Sequence, residues 1–269
     1  MEEVNFQKEA DEEGQVIEGL DFNFENQNGD GSKMLRVKPN SDRVVIRRCR
    51  FRNKHNEDPA LVIATSKNVV VEDCIFENMR GGDKREAIRI AEDGRESGMS
   101  LKCTIRRCIF RNNSGDDEII SIKSAENTIE DCFFIKNNGN LTVRHGGLTK
   151  IHHNYFEGKN GVRIHGYGNR VEYNRFEDNN SATDDDKMRC PISLWWGDED
   201  IDPNWVWDEQ DKGISRPSGN RGSSTHSVYA RTVDTVVKGN DFKNCRNTIV
   251  EFRRKDEHDK KPKNTKEEK

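Results

Sequence analysis

The feature that most constrains the fold of this chain is a six-residue pattern that occurs eight times. Each copy has an aliphatic residue, two variable residues, then Cys, Asn or Leu, one variable residue and a Phe. The eight Phe residues are Phe22, Phe51, Phe76, Phe110, Phe134, Phe156, Phe176 and Phe242. Six of the seven intervals between them are 20 to 34 residues long. Such a period indicates a solenoid in which each repeat is one three-stranded coil with loops of variable length.

The position occupied by Cys or Asn predicts an inward bend where like residues stack on successive coils. The stacked residues are Cys49, Cys74, Cys108, Cys132, Asn154, Asn174 and Asn240. We therefore predict an all-β fold, a right-handed parallel β-helix with a Phe ladder and a Cys/Asn ladder inside. The alternative for the seven cysteines is a disulfide network or a metal site, which the lack of any C-x-x-C pair disfavours.

Composition agrees with a solenoid. Only 31% of residues are hydrophobic and 35% are charged, which suits a fold in which each coil contacts only its neighbours. We predict one β-helix domain over residues 1–254 and a charged, disordered tail over 255–269. The net charge of −4 means that any anion site must be a local basic patch, and it disfavours nucleic acid as a partner. The sequence has neither a membrane-spanning stretch nor an N-terminal signal pattern, and the oligomeric state stays open.

A second strand follows most repeats, and its residues should alternate between core and surface. With the aliphatic residues inside, the outward residues form two columns across adjacent coils. One column contains Arg89, Ser121, Thr142, Arg163 and Ser193, and the other contains Lys123, Arg144, His165 and Trp195. This pattern predicts a basic surface on one sheet, with an ordinary solvated sheet face as the alternative.

Two carboxylates precede this surface. Asp116 and Glu118 are two positions apart, so an extended segment places both on one face. Oxygen ligands of this kind suit Ca²⁺, with a third ligand supplied by Asp83 or Glu86 from the preceding coil. The alternative is a solvated acidic loop.

The segment from Glu118 to Ser124, followed by the segment from Leu141 to Gly146, resembles the signature of polysaccharide lyase family 6. That family includes alginate lyases and the dermatan-sulfate lyase chondroitinase B, and the resemblance covers roughly residues 80 to 250. It implies that Lys123 is the base and that Arg144 is the acid or assists it. It also implies Ca²⁺ bound by Asp116 and Glu118, with Glu86 or Asp83 where the family has Asn, and a secreted or periplasmic location.

We expect the other polar and aromatic residues to bind the polymer. The guanidinium groups of Arg89 and Arg163 suit flanking carboxylates, His145 and His165 could shape the subsite or donate a proton, and Trp195 and Tyr229 could contact sugar rings. The predicted function is β-elimination of an acidic polysaccharide, alginate first and dermatan sulfate second. A hydrolase that uses the carboxylates Asp116, Asp117 and Glu118, and a non-catalytic glycan-binding or engineered scaffold, remain as alternatives.

Overall fold

A computed structural model describes residues 2–4, 8–10, 13–25, 33–81, 84–92, 99–144, 146–181, 189–197, 231–252 and 261–268. These residues form 27 strands and no α-helix. In chain order the strands are β1 (Glu2–Val4), β2 (Lys8–Ala10), β3 (Val16–Glu18), β4 (Leu20–Asn23), β5 (Leu35–Val37), β6 (Val45–Arg47), β7 (Arg50–Arg52), β8 (Leu61–Ile63), β9 (Val70–Glu72), β10 (Ile75–Glu77), β11 (Ile88–Ile90), β12 (Thr104–Arg106), β13 (Ile109–Arg111), β14 (Glu118–Ile122), β15 (Thr128–Glu130), β16 (Phe133–Ile135), β17 (Asn140–Val143), β18 (Lys150–His152), β19 (Tyr155–Glu157), β20 (Val162–Ile164), β21 (Arg170–Glu172), β22 (Arg175–Glu177), β23 (Ile192–Trp195), β24 (Val236–Lys238), β25 (Asp241–Lys243), β26 (Ile249–Phe252) and β27 (Lys266–Glu268).

Each described strand pairs in parallel with the strand three places away along the chain. The strands therefore form three nine-stranded sheets. The first sheet runs from β1 to β25, the second from β2 to β26 and the third from β3 to β27. Three consecutive strands therefore make one coil, and nine coils stack into a parallel β-helix. The fold predicted from the repeat is confirmed, and the crossover preference of parallel strands favours the right-handed form.

The core contains the two predicted ladders. The eight Phe rings of the repeat stack with centroids 4.5 to 5.3 Å apart. The four ladder cysteines are buried and unpaired, which excludes a disulfide between Cys108 and Cys132. Further along, the side-chain oxygen of Asn154 accepts a hydrogen bond from the main-chain N–H of Cys132 at 2.9 Å. Asn ladders thus satisfy main-chain groups that the sharp bend leaves without a strand partner.

Each bend between the third and first sheets uses a left-handed residue just before the ladder position. The eight φ angles lie between 50° and 70°. Gly19 and Gly239 occupy the first and last of these bends, whereas the six between them carry side chains. The bend residues with side chains are Arg48, Asp73, Arg107, Asp131, His153 and Tyr173. The repeated bend therefore joins each strand of the third sheet to the next strand of the first sheet in the same way from coil to coil.

Residues 261–268 belong to the segment that we predicted to be a disordered tail, and the structure describes a strand within them. Within this segment β27 pairs in parallel with β24, so that Lys266 lies opposite Val236. Charged side chains do not prevent the pairing because all three residues of β27 are exposed. In the part of the chain that the structure describes, no helix has the length and hydropathy needed to span a membrane.

Candidate active site

The second sheet brings the predicted outward residues into register. Ser121 lies opposite Arg89 and Thr142, and Arg163 lies opposite Thr142 and Ser193. In the other column, Lys123, Arg144 and His165 each follow the last residue of a strand. Their main-chain N–H groups donate to the carbonyls of Ile90, Ile122 and Val143 at 2.9, 2.8 and 2.9 Å. Both columns therefore exist as predicted, on adjacent coils.

The columns are more buried than an outward sheet face suggests. Lys123, Arg144 and Arg89 are partly exposed, whereas Arg163 is 8% exposed and Trp195 is 2% exposed. The fully buried members are Ser121, Thr142, His165 and Ser193. A basic surface exists, but it is restricted to a few partly exposed cations above a buried polar layer.

A β-bulge places Glu118 in this layer. Glu118 pairs with Asn140 and Ile120 pairs with Leu141, so Ile119 is an extra residue in β14. A bulge re-aims the side chains on one side of it. Strict alternation would send Glu118 to the same face as the inward residue Ile120, but its carboxylate instead contacts the outward arginines. The bulge therefore adds an acidic group to a basic face.

Glu118 is shared by two guanidinium groups. Its Oε1 lies 3.5 Å from Nη1 of Arg163, and its Oε2 lies 3.8 Å from Nη1 of Arg144. Burial favours the neutral acid, but the surrounding positive charges, those of Arg144 and Arg163 foremost, favour the carboxylate, and the net effect lowers the pKa of Glu118 below its usual value. Glu118 is therefore an ionised carboxylate that joins three successive coils.

Arg163 is held from two further sides. Its Nε donates a hydrogen bond to Nε2 of His165 at 3.1 Å, and its guanidinium lies 3.6 Å from the ring centroid of Trp195. We expected His165 and Trp195 to contact the sugar. Both are buried beneath Arg163 in the structure, so they support that residue and do not form part of the exposed surface.

Lys123 has the environment of a general base. Its Nζ donates a hydrogen bond to the carbonyl oxygen of Glu92 at 3.2 Å. Partial burial, followed by the positive charges of Arg89 and Arg144, lowers the pKa of Lys123 to about 8. A substantial fraction of the amine is therefore neutral under mildly alkaline conditions, as proton abstraction requires.

Arg89, which was predicted to bind the polymer, and Glu86 and Asp116, which were predicted to bind Ca²⁺, already form hydrogen bonds within the protein. Arg89 donates three hydrogen bonds of 2.7 to 3.0 Å to the buried carboxylate of Glu86. Asp116 accepts main-chain N–H groups of Lys84 and Glu118 at 2.6 and 3.2 Å. Burial, together with the charges of Glu86 and Glu118, raises the pKa of Asp116 to about 7.

These residues do not fit a calcium ion. The carboxylates of Glu86 and Glu118 face the guanidinium groups of Arg89, Arg144 and Arg163, where a cation would be repelled. Among the described residues no group of three or more His, Cys, Asp or Glu side chains could hold a metal. Ca²⁺ needs six to eight oxygen ligands. Calcium binding stays a prediction of the resemblance, without support from this geometry.

Three predicted site residues, Asp83, His145 and Tyr229, lie outside the described residues. In turn, sequence reasoning missed Glu92. Its carboxylate accepts two hydrogen bonds of 3.0 Å from Arg36, while its carbonyl contacts Lys123. The sequence signal that could have identified Glu92 is its position two residues after β11. That strand precedes β14 in the second sheet, and Lys123 directly follows β14.

The sequence profile of the chondroitinase B family matches residues 12–199, more than half of the chain. The chain belongs to this family. No curated protein matches it. The matched region includes Arg163 on β20, and Lys123 and Arg144, which directly follow β14 and β17.

Two solved structures extend the comparison. A mannuronic acid-specific polysaccharide lyase of family 6 from the human gut microbiota is 20% identical, with a TM-score of 0.63 over 98% of this chain and 64% of that one. A family 6 alginate lyase in complex with a trisaccharide is 16% identical, with a TM-score of 0.65 over 85% of this chain and 59% of that one. At these identities the likeness shows the fold, and this member of the chondroitinase B family spans about three fifths of either protein.

Proposed function

We propose that this chain cleaves a uronate-containing polysaccharide, with alginate as the first candidate, by β-elimination. The observation that carries the proposal is the placement of Lys123, whose pKa is lowered to about 8, one coil before Arg144. Family membership and the two structurally similar lyases support the same class of substrate. Dermatan sulfate, the substrate of the namesake activity of the family, is the second candidate.

In the proposed reaction neutral Lys123 takes the proton from C5 of a uronate. The electron pair of the broken C–H bond forms the C4–C5 double bond as the glycosidic oxygen leaves C4. Arg144 keeps its proton at accessible pH, so its guanidinium stabilises the departing oxygen, which is protonated from water. Two groups from adjacent coils thus act on adjacent carbons of one sugar.

Negative charge develops on the uronate carboxylate as C5 loses its proton. Arg89 and Arg144 are partly exposed cations on this face, and fixed positive groups stabilise charge that grows in the transition state. Lys123 becomes a third cation as it takes the proton. Arg89 is already fixed by its three hydrogen bonds to Glu86. No step in this scheme requires a metal ion.

The test is a panel of alginate, polymannuronate, polyguluronate, dermatan sulfate and pectate, followed at 235 nm, where the C4–C5 double bond absorbs. We expect absorbance to rise with an alginate-type substrate. If none of these polymers produces it, the lyase proposal fails.

One observation favours a hydrolase as the second candidate. The pKa of Asp116 is raised and that of Glu118 is lowered. Pairs of a general acid and a base show such opposite shifts. Hydrolysis releases reducing ends without absorbance at 235 nm, so measuring both signals on one sample separates the two reactions. Binding without either signal would leave the glycan-binding scaffold.

A further inference from the structure

We propose that Glu118 and Arg163 are positioning residues that hold Arg144 for the elimination, and that His165 and Trp195 fix Arg163. This inference rests on the proposed function. It assigns a supporting role to three residues that were expected to bind the substrate, Arg163, His165 and Trp195, and to one that was expected to bind a metal, Glu118.

The first step of the argument is the path of contacts. From the ring of Trp195 the path runs 3.6 Å to the Arg163 guanidinium, then 3.5 Å to Glu118, then 3.8 Å to Arg144. These residues belong to β23, β20 and β14 and to the end of β17, four adjacent strands of the second sheet. Each contact crosses between coils, so the path fixes side chains that main-chain pairing alone leaves free to turn.

The second step concerns Arg163. It is 8% exposed, its Nε is engaged by His165, and one face of its guanidinium lies against Trp195. A buried guanidinium is costly unless it is paired and hydrogen-bonded. Because the group is charged and covered, its influence on the reaction passes through Glu118 rather than through direct contact with the polymer.

The third step concerns Glu118. Its carboxylate is buried, yet 31% of the Arg144 side chain stays exposed. An anion in the buried layer therefore lies beneath a guanidinium that reaches the surface. Ion pairing from below restricts where that guanidinium can lie, and the loss of about 1 Å of alignment in a reacting group can cost about 100-fold in rate.

The decisive variant is Arg163→Met, which keeps a long side chain against Trp195 and removes the charge. We expect kcat to fall about 10- to 100-fold with KM within about twofold, because only the orientation of Arg144 is lost. The matched control is Arg175→Met on the first sheet, whose side chain is 49% exposed, and it should behave as the unmodified chain. A rise in KM at constant kcat would make Arg163 a substrate contact and overturn the proposal.

Two further comparisons distinguish positioning from general damage. His165→Gln retains an oxygen that can accept the Arg163 Nε–H, so it should keep most of the activity that His165→Leu loses. In an Arg144→Lys background, Arg163→Met should cause little further loss, because the residue that it positions is already altered. Fully additive losses would contradict the proposed path.

The last measurement does not depend on turnover. Crystal structures of the unmodified chain and of Arg163→Met should show the Glu118 carboxylate and the Arg144 guanidinium displaced relative to each other in the variant. If their separation is unchanged, the positioning role is wrong even when the lyase is active. If no polymer is eliminated but the displacement occurs, the proposed function fails while the structural coupling holds.

Discussion

The main-chain carbonyl oxygen of Glu92 accepts a hydrogen bond from Nζ of Lys123 at 3.2 Å. The amine of the proposed base is thereby tied to the segment that follows β11, one coil before its own. A carbonyl is a neutral acceptor, so the contact directs the amine without adding a negative charge that would raise its pKa. The same segment anchors itself through the carboxylate of Glu92, which pairs with Arg36.

Removing the base should abolish elimination. General base catalysis contributes about 10²- to 10⁴-fold, so we expect Lys123→Ala to lower kcat by at least about 100-fold in the 235 nm assay. Lys123→Arg should fail equally, since a guanidinium stays protonated. Lys150→Ala, an exposed position on the third sheet, is the control. Near-normal activity in Lys123→Ala, with an unchanged melting temperature, would refute the assigned role.

The activity should rise with pH through the pKa of Lys123, about 8. The reactive form is the neutral amine, so kcat increases as the ammonium loses its proton and levels off above that pKa. Arg89 lowers this pKa by charge repulsion. In Arg89→Met the rising limb should therefore move to higher pH. A limb that stays in place, or moves to lower pH, would show that another group titrates.

Calcium should leave the protein unchanged. Because arginines already face Glu86 and Glu118, we expect no saturable heat of binding on titration with CaCl₂ and no shift in melting temperature. Activity after treatment with EDTA should equal that of the untreated chain. A stoichiometric binding isotherm that Glu118→Gln removes would restore the metal site predicted from the resemblance.

The Asn ladder should be a major source of stability. Asn174 accepts hydrogen bonds from both the N–H and the side-chain amide of Asn154, and it donates to the carbonyl of Ile151. Asn174→Ala leaves these buried groups unpaired, at about 1–3 kcal/mol for each unsatisfied group. Asn244→Ala, which removes an exposed ladder contact to Asp178, should cost far less. Urea unfolding of both variants measures the difference, and equal losses would contradict the argument.

The fold could be predicted because identical side chains recur at one place in every coil. A Phe at a fixed position stacks on the next Phe only if the coils are parallel and in register, so the repeat leaves few other arrangements. The alternation of Ile120 and Ile122 with Ser121 and Lys123 then fixed which side chains face outward. These are local signals, and the structure follows them closely.

The candidate site was harder to predict because it departs from alternation. The bulge at Ile119 turns Glu118 toward the arginines, and a period-two pattern contains no sign of it. Burial of His165 and Trp195 was missed for a related reason. Alternation gives the direction of a side chain, but not what packs against it. Here Arg163 contacts both rings, and Phe252 packs on Trp195 as well.

Spreading the site over the five coils that contain β11 to β23 has an evolutionary consequence. Adjacent coils are about 4.8 Å apart, and each is joined to the next through the same left-handed bend, so a whole coil is the smallest piece of chain that can be gained or lost without disturbing the ladders. Duplication of a coil outside β11 to β23 would lengthen the molecule, leave Arg89 and Glu92 in place and keep Lys123 beside Arg144. The same event between β14 and β17 would separate them by one coil. Selection for activity should therefore forbid insertions of whole coils inside this block and tolerate them at either end.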